Sequence, residues 1–254
     1  MTGDFQAPER RPSSGRVWFV LLCAGIVIVF LAVVLPGVFD LRHSSRRGKF
    51  TAPIERVVVD ARGTTNLDIS ASRDGHAHIT QTASVSKAAR LVESWRVKGK
   101  TLYIRSHCTG SRLGILRRCD VNYRLRLPAK AALVLRIGIG KIDLDGVRGS
   151  VDLKIEAGDV RGEALCSRRV KAEVEYFGRI VLKETCFPDL IWSRMKAGDI
   201  ELTVPAGHYD VHAATHSGGI KRPFENIIED PSSPHKLDLE LSWGGSIKIA
   251  GTGK

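Results

Sequence analysis

Between Leu133 and Ile220 apolar and polar residues alternate in short runs, and the runs return about every twenty residues. Leu133, Leu135 and Ile137 form one run; Val151, Leu153 and Ile155 a second; Val170, Ala172 and Val174 a third; Val211, Ala213 and Thr215 a later one. Glycines punctuate the series at Gly140, Gly158, Gly178, Gly198 and Gly218, and two places after them come Ile142, Val160, Ile180, Ile200 and Ile220. Alternation with period two turns one face of a strand inward, and recurrence at a fixed spacing stacks each unit on its predecessor. The pattern predicts an all-β fold: a small single-stranded β-solenoid with coils of about twenty residues.

The same stacking accounts for charges that otherwise resemble catalytic carboxylates. Lys141, Asp159, Arg179 and Asp199 each follow a repeat glycine and alternate in sign, and three places after the glycines Asp143 meets Arg161 and Glu201 meets Lys221. Opposite charges on adjacent strands attract, so these groups are expected to form a solvated ladder.

Upstream, strands are expected from Ile54 through Val57-Val58-Val59, at Asn66 to Ser70, His76 to Thr82 and Trp95 to Val97. Lys98-Gly99-Lys100 turns the chain into a hairpin with Thr101 to Arg105. Ser86 to Glu93 alone has a helical pattern. Leu127-Pro128-Ala129 and Val204-Pro205-Ala206 each precede a repeat glycine, as though one unit recurs. The period breaks at Arg222 to His235, expected to cap the open end, and Leu237, Leu239, Leu241, Gly244 and Ile247 supply one last coil.

The N-terminus is of another kind. Residues 1–16 are polar and rich in Pro, Arg and Ser, a composition expected to be disordered. From Val17 to Phe39 no residue is charged, and at about 1.5 Å per residue such a run crosses a hydrocarbon core of about 30 Å. It is expected to be an uncleaved transmembrane helix with Trp18 and Phe39 near the interfaces, because Leu35-Pro36-Gly37-Val38 makes a poor cleavage site. Residues 40–53 follow as a basic linker, and 54–254 form the repeat domain. The net charge of +12 is concentrated in residues 50–130, while residues 131–254 are close to neutral.

Lys and Arg flank both sides of the span, so charge alone does not orient it. Cysteine placement does. Cys166 and Cys186 each stand eight places after a repeat glycine, one above the other on adjacent coils, where a strand spacing of about 4.8 Å suits a disulfide. Cys108 and Cys119 flank a hairpin tip between the strands at Leu102–Ile104 and Val121–Leu127. Neither pair has the short spacing of a structural zinc site. Two bridges imply an oxidising compartment, which puts the N-terminus in the cytoplasm and the C-terminal domain outside the membrane.

The runs LRLPAKAALVLRIGIGKIDLDGVRGSVDLKIEAGDVRG and AGDIELTVPAGHYDVHAATHSGGIK, with VKGKTLYIRS upstream, resemble the bacterial putative-adhesin domain, a membrane-tethered β-strand-repeat domain of unknown function. The likeness covers about residues 54 to 250. It implies surface adhesion and brings no catalytic residues or cofactor; the four cysteines, the basic front half and the 222–235 insertion depart from it.

No P-loop, dinucleotide fingerprint or G-x-S-x-G is present. Ser84-Val85-Ser86-Lys87 matches S-x-x-K without its supporting elements. His76 and His78 share a strand face without a third ligand nearby in sequence, and His208, His212 and His216, on a strand, stand too far apart for one ion. The remaining candidate is the segment from His107 to Cys119, where Arg112, Leu113, Ile115, Leu116, Arg117 and Arg118 mix cations with aliphatics. With Arg96, Lys98, Lys100, Arg105, Arg124 and Arg126 it is either a solvated hairpin or a face that docks on anionic lipid, an anionic wall polymer or an envelope protein. Nucleic acid is not expected, since aromatics are scarce. The expected function is a non-catalytic binding, adhesion or structural module; the alternatives are a polysaccharide-acting enzyme on a β-helix, which needs an unpaired carboxylate cluster, and an envelope sensor.

Overall fold

The computed structural model describes residues 19, 22–26, 28, 41–87, 89–110 and 118–253. Their alternating pattern is realised as strands: β1 (Leu41–Phe50), β2 (Arg56–Ala71), β3 (Ala77–Ser86), β4 (Ala89–Lys98), β5 (Thr101–Gly110), β6 (Cys119–Leu127), β7 (Ala132–Asp145), β8 (Val151–Leu165), β9 (Arg169–Glu184), β10 (Leu190–Pro205), β11 (Gly207–Ile220), β12 (Ile227–Glu229) and β13 (Lys236–Thr252). They make one sheet in the order β1-β3-β6-β2-β7-β8-β9-β10-β13-β11-β12, with β5 and then β4 added beside the first half of β2.

From β2 to β11 the neighbours run parallel, and the repeat glycines define the register: Gly140 pairs with Gly158, Gly158 with Gly178, and Gly178 with Gly198. The column is glycine for a steric reason. A Cβ on Gly158 would fall within the van der Waals envelope of the Gly140 carbonyl oxygen, and its φ of 132° disfavours any L side chain. Just before the glycine a bulge shifts register, as between Met195 and Ala197 on β10. A bulge bends a strand. The buried set changes parity there, from Leu133, Leu135 and Ile137 to Ile142 and Leu144, so both halves of each strand feed one core. The halves face each other: the Tyr123 hydroxyl on β6, beside the second half of β2, donates to Glu93 Oε1 on β4, beside the first half, at 2.5 Å.

That contact closes the N-terminal end of the core. Trp95 Nε1 donates to the same Glu93 oxygen at 2.9 Å, and the Arg46 guanidinium lies 4.3 Å from the Trp95 ring centroid. Burial and the Glu93 carboxylate together push the Tyr123 hydroxyl's pKa up.

Five expectations change. Residues 41–50, expected within a linker, form β1 antiparallel to β3, because Leu41 and Phe50 half-bury at its ends while Arg42, Arg46, Arg47 and Lys49 charge an edge that would otherwise invite aggregation. The helical pattern at Ser86 to Glu93 yields to the end of β3 and the start of β4. Cys108 and Cys119 do not flank an antiparallel hairpin: β5 and β6 both run parallel to β2, beside its first and second halves, and the cysteines bracket an insertion at the bend. The last coil does not follow β11; β13 enters between β10 and β11, so Gly245 rather than Gly244 sits between Gly198 and Gly218. Glu201 is therefore in register with Lys248, not beside Lys221, and its ion pair is with Arg179 at 2.5 Å.

Both disulfides are present. Cys166–Cys186 joins adjacent strand ends with Cα atoms 4.8 Å apart, and Cys108–Cys119 spans 6.4 Å. Lys141, Asp159, Arg179 and Asp199 lie in register as a ladder, and so do Asp143 and Arg161, although Arg161 closes its ion pair on Glu163 at 3.0 Å. In the 222–235 insertion Phe224 is buried and β12 pairs with the start of β11. Most of the apolar run from Val17 to Phe39 lies outside the described residues; of it, 19, 22–26 and 28 are helical and exposed. Among the described residues no helix is long and apolar enough to cross a membrane.

Candidate functional site

The turn at Gly99, with a φ of 57°, folds β4 back on β5 and so fixes which side chains share a face. Antiparallel register sets Ser94 opposite Arg105, Arg96 opposite Tyr103 and Lys98 opposite Thr101. Leu102 and Ile104 point into the core, so this second set points out. Ser94, Arg96, Lys98, Tyr103 and Arg105 line a depression of about 240 Å³. Arg105 also borders a larger one of about 620 Å³, with Asp60, Arg62, Gly63, Ser106, His107 and Cys108.

Among the described residues, Arg96, Lys98 and Arg105 have no carboxylate within ion-pair reach. The other described cations proposed from sequence are engaged or elsewhere. Lys100 pairs with Glu55 at 2.5 Å, Arg118 with Asp120 at 2.7 Å and Arg124 with Asp68 at 3.1 Å. Arg126 stands on β6, in the other half of the fold. Arg112, Leu113, Ile115, Leu116 and Arg117 lie outside the described residues. Sequence reasoning missed Ser94 and Tyr103, although once the Lys98-Gly99-Lys100 turn is placed, counting back along both strands sets them beside Arg105 and Arg96.

The arrangement suits anions. Two guanidinium forks can each take two oxygens of a phosphate or carboxylate, an ammonium adds a point charge, and the Ser94 and Tyr103 hydroxyls donate between them.

The other candidates resolve into local contacts. His78 Nε2 lies 2.8 Å from Asp74 Oδ2, and Asp74 also accepts the His76 backbone N–H at 3.1 Å. That backbone bond, followed by His78, holds the Asp74 carboxyl well below the usual range. His208, His212 and His216 lie exposed along β11. No group of three or more His, Cys, Asp or Glu among the described residues is placed to hold a metal ion. Ser84 sits on β3, where its hydroxyl meets His43 Nδ1 at 2.9 Å, so S-x-x-K here is carried by a strand and turn rather than a helix.

Several solved structures align with most of the chain. A putative cell adhesion protein from Clostridium sporogenes aligns at 12% identity and a TM-score of 0.46, covering 84% of this chain and 100% of its own. A putative adhesin from Bacteroides fragilis aligns at 13% and 0.34, covering 81% and 97%. Another, from Parabacteroides distasonis, aligns at 13% and 0.28, covering 84% and 98%. Likenesses this distant assign no function. No protein-family model matches the sequence, and no curated protein matches it.

Proposed function

We propose that the chain is a membrane-tethered β-solenoid that acts without catalysis, its domain outside the cytoplasm, binding an anionic polymer of the cell envelope through the outer face of β4 and β5. The observation that carries this reading is the convergence of Arg96, Lys98 and Arg105, none ion-paired among the described residues, on one depression with Tyr103 and Ser94. Several cations elsewhere are ion-paired, Arg136 with Asp152, Lys154 with Glu173 and Arg194 with Glu240, each at 2.9 Å, and others such as Arg126 and Arg148 are not, among the described residues; Arg96, Lys98 and Arg105 stand apart because they line one depression. The two disulfides support an oxidising surrounding. The uncharged run from Val17 to Phe39 supports the tether.

The test is retention of the full-length chain, in neutral detergent micelles, on immobilised polyphosphate and on neutral dextran. Retention on polyphosphate should fall as the Debye length shortens from about 10 Å at 0.1 M salt to about 3 Å at 1 M. Three exposed contacts at up to about 1 kcal/mol each make R96E/K98E/R105E bind roughly 100-fold more weakly. Equal retention of that variant, or equal retention on dextran, overturns the assignment.

A further inference from the structure

We infer that the bend of the repeat strands is a bilayer-facing edge, on which Ile139, Tyr176, Phe177, Lys196 and Trp243 rest against an anionic lipid surface. The inference rests on the reading of residues 17–39 as a membrane span.

Large apolar side chains usually lie inside, yet four stand exposed in one line at the bend: Ile139 at 55%, Tyr176 at 48%, Phe177 at 66% and Trp243 at 65%. They occupy positions just before the repeat glycines of β7, β9 and β13. Lys196, at the same level of β10, holds its ammonium 4.6 Å from the Tyr176 ring centroid and 6.0 Å from that of Trp243. Aromatic rings with an amine between them suit the headgroup level, where ring faces meet acyl chains and the ammonium meets phosphate. Glu156, on β8 in this stretch, is exposed as well.

What selects a bilayer over another occupant is where the chain enters the fold. His43, Ser84, Asp120, Thr64 and Ile139 are successive register partners across β1, β3, β6, β2 and β7, so the start of β1 lies at the level of the bend. Phe39, last residue of the uncharged run, is two residues from Leu41, and two residues reach at most about 7 Å. A span ending there brings the bilayer to the bend, not to the far ends of the strands. At about 4.8 Å per strand, β9 lies roughly 30 Å and β13 roughly 40 Å along the sheet from β1. The tether would hold one end of this edge at the surface, and the aromatics would meet the surface farther along. Arg42 adds an exposed cation at the tethered end. In this pose Gly99 of the Lys98-Gly99-Lys100 turn, eight residues from His107, stands roughly 26 Å above the lipid and leaves the β4–β5 face open to polymer.

The experiment uses the full-length chain in nanodiscs of phosphatidylcholine and phosphatidylglycerol carrying a headgroup-level photoreactive lipid, with labelled peptides mapped after illumination. Expected are labels on the peptides holding Tyr176–Phe177 and Trp243, several-fold above those holding Arg96 and Tyr103. F177D/W243D should lose them while its melting temperature stays unchanged, since both side chains are exposed. Labelling of the 17–39 peptide without the edge overturns this inference alone; no labelling of 17–39 overturns the span reading and, with it, the inference. If the edge escapes lipid labelling in nanodiscs yet is shielded from footprinting on intact cells, its occupant is a protein or glycan and the bilayer assignment falls.

Discussion

Glu184 closes β9 at 1% exposure, two residues before the bridged Cys186. One carboxyl oxygen accepts the Ser167 backbone N–H at 3.1 Å; the other, buried, has no partner. Burial pushes its pKa up from 4.5 to about 7, and the Ser167 bond only partly opposes that. Between those values the folded chain binds the proton and the unfolded chain does not. Stability is therefore fully present below about pH 4.5 and is lost as pH rises through 7. At 1.36 kcal/mol per pKa unit the whole loss is about 3 kcal/mol. Glu184→Gln keeps an acceptor for Ser167 and removes the charge. By pH 8 it should be more stable than the native chain by about 3 kcal/mol, which for a domain of this size raises Tm by roughly 6–12 °C, while at pH 4.5 the two should melt together. The assay is calorimetric melting of both full-length proteins in neutral detergent from pH 4.5 to 8, taken as a difference so that other titrations cancel. A difference in Tm that does not change with pH refutes the reasoning.

Gly158→Ala should fail to reach the native state, or lose more than about 3 kcal/mol, because its Cβ meets the Gly140 carbonyl and its φ is disfavoured; chemical denaturation of the purified variant, beside Ala157→Gly as a partner lacking that clash, checks this. Replacing Cys166 and Cys186 together by Ser opens a loop of sequence separation 20 and should cost about 3 kcal/mol in urea unfolding. Leu239→Ala should cost about 2–5 kcal/mol and Val211→Ala less than about 1.5, because Leu239 is fully buried on an interior strand and Val211 half-buried on the next; the reverse order in urea melts would contradict the strand order.

The glycine column, the charge ladder and the Cys166–Cys186 bridge were legible because each depends on lateral match alone, and a fixed period writes lateral match directly into the sequence. Gly158 over Gly140 needs only equal spacing from the same inward set. The β1 edge strand was hidden for the opposite reason. Its exposed face is cationic and its partner β3 runs antiparallel from a different stretch, so neither period nor alternation announces it. The face formed by Arg96, Lys98 and Arg105 was half legible. The residues could be named, but that they close no ion pair among the described residues, with Asp60 beside Arg105 reaching Arg62 instead and Lys100 held by Glu55, is a property of the folded register.

The place of β13 shows where a period stops being informative. A twenty-residue repeat says that Gly198, Gly218 and Gly245 can occupy one column, and says nothing of their order. Side-chain size decides it. The inward set of β13 is Leu237, Leu239 and Leu241, all fully buried, whereas that of β11 is Val211, Ala213 and Thr215, all half-exposed. Burial of a whole leucine side chain contributes about 1.5–3 kcal/mol. Three leucines gain more between two neighbours than Val, Ala and Thr would, so the chain steps over one strand position after Val204 and leaves the gap for its own C-terminus. The terminal position, paired on its outer edge among the described residues only by β12 at Gly207 to Tyr209, goes to the strand with least apolar surface to hide. Composition ranks the coils where repetition only aligns them, and leucine content near the C-terminus was the available signal that the last strand in sequence is not the last in the stack.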